Sequence, residues 1–178
     1  LRLTRLLNDL LDLSVLESGQ VSLNMRQGAL GDVLDHSVSS ALAGSDAPLS
    51  VRRNLPGEAL YLTSDLDRLA QVFINLIANA QKYCDAGTPE LTIDVRQAGG
   101  VLVVDFIDNG SGIPEDAQEM VFEKFSRVST EKAGGAGLGL AISREIMQRL
   151  GGNISYLPGR GGGAFRVTLP VAKEMAAQ

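Results

Sequence analysis

The stretch ELTIDVRQAGGVLVVDFID, residues 90–108, holds two β-rich runs that meet at Gly99-Gly100 and predicts a hairpin. A second pair, NISYLP and AFRVTLP joined by GRGGG, predicts another hairpin close to the end of the chain. QVSLNM reads as a short strand, and LSVRRNL and ALYLT read as short strands around a Pro56-Gly57 turn. Between these runs the period changes. ALGDVLDHSVSSALAGS predicts an amphipathic helix ended by Gly44. DLDRLAQVFINLIANAQKY predicts a stronger one, which Ser64 or Asp65 can cap; Leu66, Leu69, Val72, Phe73, Leu76, Ile77 and Ala80 form its broad apolar stripe. A further helix is expected at GLGLAISREIMQRL, and a short one around DAQEMVFEKF. Strands clustered in hairpins, rather than in strict βαβ units, predict an α+β fold: a mixed sheet with helices gathered on one face.

At the start, LRLTRLLNDLLDLSVLESG places Leu3, Leu6, Leu10 and Leu13 at steps of three and four, the spacing of a packing seam. Gly19 falls just past its expected end, where a left-handed C′ residue is favoured. No capping residue precedes the seam, so it reads as the last part of a longer helix; a self-contained helix docked on the core is the alternative.

The 178 residues suit one domain, or one domain with an appendage. Such a chain can bury roughly 70% of its unfolded surface, enough for a core without staples. No apolar run approaches the ~20 residues of a membrane helix, so no membrane contact is expected. No secretory signal is expected either, since Arg2, Arg5, Asp9 and Asp12 interrupt the leucine-rich start. A net charge of −5 argues against nucleic acid as a partner. The single cysteine, Cys84, excludes a disulfide framework and fits a reducing, cytoplasmic compartment. One histidine excludes a His-rich metal site.

Three stretches carry candidate chemistry. On the long helix, Asn75 and Asn79 are four apart and share a face, with Lys82 and Tyr83 one turn on. They are either satisfied asparagines or an oxygen ligand for Mg²⁺, a hard cation usually shared with nucleotide phosphates. In VLVVDFIDNGSGIP, an apolar run ends at Asp108 and is followed by Asn109, Gly110, Gly112 and Pro114. This is either a strand closed by an Asn-Gly turn or a carboxylate at the mouth of an apolar pocket. There it would accept a hydrogen bond from the exocyclic amine of adenine, while guanine would offer a repelling carbonyl. In KAGGAGLGLAI, glycines crowd a helix start. The spacing is neither a Walker loop nor a dinucleotide fingerprint. It leaves a flexible hinge or a nest of amides that holds phosphate at the helix N-terminus.

FINLIANAQKY, DNGSGIP, FEKF and GGAGLGLAI, in this order, resemble the N, G1, F and G2 boxes of the sensor histidine kinases. GRGGGAFRVTLP is similar to the closing glycine hairpin of that family, and LLNDLLDLSVLESGQ to the end of its dimerisation helix. The resemblance implies the Bergerat ATP-binding sandwich of the gyrase, chaperone and histidine-kinase superfamily, a two-layer α/β fold. It implies residues 1–18 as the end of the dimerisation helix, 19–172 as the ATP-binding catalytic domain and 173–178 as a tail.

It also implies roles. Asp108 would bind the adenine amine with Gly112, beside Gly110 and Ile113. Asn79 would hold Mg²⁺ with Asn75 nearby, Lys82 would reach the phosphates and Tyr83 would sit against the base or ribose. The backbone at Gly135, Gly137, Leu138, Gly139 and Leu140 would hold the phosphates. Residues from about 113 to 136 would form a lid anchored by Phe122 and Phe125, with Lys124 or Arg127 meeting the γ-phosphate. Lys124 stands where the family often has Arg, which keeps the charge but loses the bidentate fork. Asn75 stands where hydrolysing members of the superfamily carry a Glu general base, so hydrolysis is expected to be slow and the phosphoryl group to pass to a protein nucleophile.

The implied activity is transfer from ATP to a histidine on a dimerisation helix, then to an Asp of a response regulator, within a homodimeric parent that could be anchored at an inner membrane. No acceptor box accompanies the boxes above. His36 lies inside ALGDVLDHSVSS and reads as an ordinary helix histidine, so a catalytic fragment separated from its acceptor is expected. A nucleotide-binding regulator without phosphotransfer and a serine kinase of the same superfamily are the alternatives.

Overall fold

The computed structural model describes residues 2–124 and 138–171. Helix α1 (Arg2–Ser18) leads to strand β1 (Arg26–Ala29), helix α2 (Leu30–Ala43), strands β2 (Ser50–Asn54) and β3 (Tyr61–Ser64), and helix α3 (Leu66–Tyr83). Strands β4 (Glu90–Ala98) and β5 (Val101–Asp108) follow, then a 3-10 turn at Glu115–Met120, helix α4 (Gly139–Arg149), and strands β6 (Asn153–Tyr156) and β7 (Ala164–Pro170).

Both expected hairpins form. β4 pairs antiparallel with β5 across Gly99-Gly100, β5 with β7, and β7 with β6, while β2 lies parallel to β4. The sheet order is therefore β2-β4-β5-β7-β6, a mixed five-stranded sheet. All seven residues of the α3 stripe are buried, in one core with the inward residues of the central strands. Phe73 of α3 packs on Phe106 of β5 with ring centroids 5.4 Å apart. Full burial of one such side chain contributes about 1.5–3 kcal/mol. α2 and α4 flank α3, and α1 packs on α4, which completes the helical layer.

Helix caps follow local chemistry. Asp65 is the N-cap of α3, and its carboxylate accepts from the Arg68 amide at 3.1 Å. Gly44 ends α2, and Gly19 takes the left-handed conformation past α1 with φ +76°.

Three local expectations shift. The first short strand is Arg26–Ala29 and not QVSLNM, because the other Asp65 oxygen already holds the Asn24 amide at 2.9 Å and pairing starts only at Arg26. β2 and β3, expected on either side of one turn, belong to different sheets: β3 pairs with β1, and β2 with β4. The short helix near residue 116 is a 3-10 turn with no buried residue.

On the face away from the helices, Asp94 and Asp105 stand directly opposite each other across β4 and β5, a costly like-charge pair. Arg166 relieves it with two bonds to the buried Asp105, of 2.8 and 2.9 Å, and these bonds push its guanidinium pKa further up.

Candidate nucleotide site

The end of β5 delivers Asp108, and three glycines shape the space around it. The Asp108 amide donates to the Gly163 carbonyl at 2.8 Å. In return, one carboxylate oxygen, Oδ1, accepts from the Gly110 amide at 2.8 Å and from the Gly163 amide at 3.0 Å. The other oxygen, Oδ2, makes no hydrogen bond to another described residue. A Cβ at Gly163 would lie 2.7 Å from that free oxygen, and one at Gly162 would lie 2.0 Å from the Asp108 carbonyl oxygen. Only glycine allows this approach. The carboxylate is thus oriented by two amides and presents one open acceptor.

The loop beyond Asp108 is pinned on all sides. Asn109 accepts from the Glu90 amide at 2.9 Å and donates to the Thr88 carbonyl at 2.9 Å, so it braces the loop and does not face a pocket. Asp85 accepts from the Ser111 amide at 2.8 Å and its hydroxyl at 2.6 Å. Gly112 has φ +82°, a conformation that disfavours a side chain, and the Ile113 amide donates to the Tyr156 hydroxyl at 2.9 Å.

α3 and α4 supply the other wall. The Asn75 amide group donates to the Gly139 carbonyl at 3.2 Å and to the Ser143 hydroxyl at 3.0 Å, which ties the middle of α3 to the first turn of α4. Asn79, one turn further, is half-buried and makes no hydrogen bond to another described residue. Leu138 is buried, Gly139 and Leu140 are half-buried, and among the described residues no side chain caps the start of α4 at Leu138. The first-turn amides therefore lack intrahelical partners, as an anion site requires. Lys82 is exposed in the last turn of α3, and Tyr83 is half-buried, with its phenol pKa pushed up by that burial.

Phe122 stacks edge-on against Phe165 at 5.9 Å, with the Arg144 guanidinium 5.8 Å from its ring centre. The Lys124 ammonium sits 2.9 Å from a carboxylate oxygen of Glu17 on α1. Phe125, Arg127, Gly135 and Gly137 lie outside the described residues. The roles of Gly162, Gly163 and Tyr156 were not read from the sequence; the Gly161-Gly162-Gly163 run was the available signal for the first two.

Residues 64–173 match the family model described as histidine kinase-, DNA gyrase B-, and HSP90-like ATPase. The chain belongs to this family. Among its relatives, the sensor histidine kinase WalK of Bacillus subtilis is 36% identical over 97% of this chain, which spans 29% of that protein. The solved structure of the Acinetobacter baumannii histidine kinase AdeS superimposes with a TM-score of 0.77 at 26% identity, covering 96% of this chain and 79% of that one. Full-length ShkA, solved in complex with AMPPNP, superimposes with a TM-score of 0.76 at 27% identity over 97% of this chain and 36% of that one. The fold is thus that of a histidine-kinase-type ATP-binding catalytic domain. The chain spans under half the length of the curated relatives it matches. None of its described helices is long and apolar enough to cross a membrane.

Proposed function

We propose that this ATPase-family domain binds ATP with the adenine amine on Asp108 Oδ2, and that it transfers the γ-phosphoryl group to a histidine of a dimerisation helix for onward transfer to an aspartate of a response regulator. The observation that carries the reading is the Asp108 carboxylate, held by two backbone amides with one oxygen left open in a glycine cradle. Such an acceptor matches an exocyclic amine and repels the carbonyl of guanine. The AMPPNP of the ShkA structure, an adenine nucleotide, supports the same assignment.

Phosphates would rest on the uncapped start of α4. Asn79, one turn along α3 from Asn75 and bonded to no other described residue, suits Mg²⁺ held jointly with phosphate oxygens. A bound Mg²⁺ would offset phosphate charge; orientation comes from the chain's own groups. Asn75 acts as a brace through Gly139 and Ser143, and its amide cannot accept a proton from water. That supports transfer to a protein nucleophile over hydrolysis.

His36 is exposed on α2 and reads as an ordinary helix histidine; the acceptor would belong to a region of the longer relatives that this chain does not span. Residues 1–18 are read as the end of the dimerisation helix, 19–172 as the catalytic domain and 173–178 as a tail. Leu7, Leu11 and Val15 recur every four residues and are 56%, 58% and 48% exposed, which suits a partner helix in a homodimeric parent. A cytoplasmic location follows from the ATP and receiver-domain partners.

Calorimetric titration with ATP and GTP, with and without Mg²⁺, tests the reading. Asp108→Asn keeps the shape and replaces the free acceptor with a donor. A charge-assisted hydrogen bond is worth about 1.5–3 kcal/mol, so ATP affinity should fall at least about tenfold, with folding unchanged. Equal ATP binding by wild type and variant would defeat the assignment.

A further inference from the structure

We infer that Tyr156 is a positioning residue for the adenine end of the site, acting through the backbone of Ile113; this rests on the reading of Asp108 as the adenine acceptor. Tyr156 ends β6, 43 residues along the chain from Ile113, and its hydroxyl accepts the Ile113 amide at 2.9 Å. The Ile113 carbonyl accepts from the Gln118 side chain at 2.9 Å. Both backbone groups of Ile113 are therefore held by side chains, five residues past the end of β5.

The same hydroxyl also abuts the loop one residue earlier. A Cβ at Gly112 would stand 3.0 Å from it, so Tyr156 and the left-handed turn at Gly112 fit as one unit. The ring is fixed in turn. It packs edge-on against Phe165 at 5.3 Å, Phe165 packs edge-on against Phe122 at 5.9 Å, and the Arg144 guanidinium of α4 lies 5.8 Å from the Phe122 ring centre. Edge-to-face rings at these separations are favourable and directional. A continuous chain, Tyr156–Phe165–Phe122–Arg144, thus runs from the Asp108 loop to α4, whose N-terminus is the proposed phosphate site.

Removing the hydroxyl and keeping the ring isolates the loop contact. In Tyr156→Phe the packing on Phe165 persists, but the Ile113 amide loses its acceptor and the loop relaxes. Nucleotide must then restore the order of the loop, and the loss appears in binding. ATP and ADP affinities should fall by the same factor, about tenfold, the scale of one hydrogen bond to a part-buried donor. Because the effect lies at the base, the number of phosphates does not alter it.

The experiment is titration of ATP and ADP into wild type, Tyr156→Phe and Asp108→Asn, with the melting temperature of each nucleotide-free protein and hydrogen exchange at the Ile113 amide. Equal losses for ATP and ADP, a melting temperature within about 3 °C of wild type, and faster exchange at Ile113 support the inference. Wild-type affinity in Tyr156→Phe, a loss limited to ATP, or unchanged exchange at Ile113 overturns it. If instead Asp108→Asn binds ATP as wild type does, the adenine reading itself fails, and the exchange at Ile113 still decides whether Tyr156 holds the loop.

Discussion

Burial of Tyr83 raises its phenol above the usual value near 10, and the sign of the effect on stability follows. A raised folded pKa means that the neutral phenol is favoured in the native state. Its contribution is complete below about pH 10 and is lost as pH rises through the higher folded value. Phenolate absorbance should therefore show a late-ionising component that disappears in Tyr83→Phe; a native titration unchanged by that substitution would overturn it. At this scale, much of the site was legible. Asp108 and Gly112 stood out as an acidic residue and a nearby glycine at the end of an apolar run, a pattern an Asn-Gly turn alone would also give, and the ordered boxes favoured the carboxylate reading. Gly162, Gly163 and Tyr156 did not stand out, since each acts on a residue that lies far away in the chain.

Between elements, the helix docked at the start is the informative case. Leu13 and Leu16 of α1 are buried, and Arg149 of α4 donates to the Leu16 carbonyl at 2.9 Å, satisfying an end-of-helix acceptor. Asp12 receives the Arg68 guanidinium at 3.0 Å and the Gln71 side chain at 2.9 Å. These contacts join α1 to α3 and α4, so α1 is part of the folded unit. Leu16→Ala should cost about 2–5 kcal/mol in denaturant unfolding, as for other fully buried leucines. An unchanged unfolding midpoint would mean that α1 packs without contributing stability. The leucine spacing foretold the helix and Gly19 its end. Its docking partner was not legible, because an apolar stripe specifies that something must cover it and not what.

For the whole molecule, nucleotide binding is linked to folding: any ligand of the native state alone raises the melting temperature. ATP at about a hundred times its dissociation constant adds ~2.7 kcal/mol. For a domain of this size that shifts the midpoint by roughly 5–10 °C. GTP at the same concentration should leave it nearly unmoved, and a scan without an ATP shift would overturn the nucleotide assignment. Local sequence set the four described α-helices, the two hairpins, the α+β class and the candidate acceptor at Asp108. Each depends on neighbours within a few residues, through helical period, capping oxygens or glycine turns. Tertiary structure alone decided that β2 joins β4 while β3 joins β1, that Gly163 orients Asp108, that Tyr156 holds Ile113 and that Lys124 meets Glu17. Backbone donors and acceptors are alike at nearly every residue. Which ones pair across long separations is settled only when the apolar faces bury together.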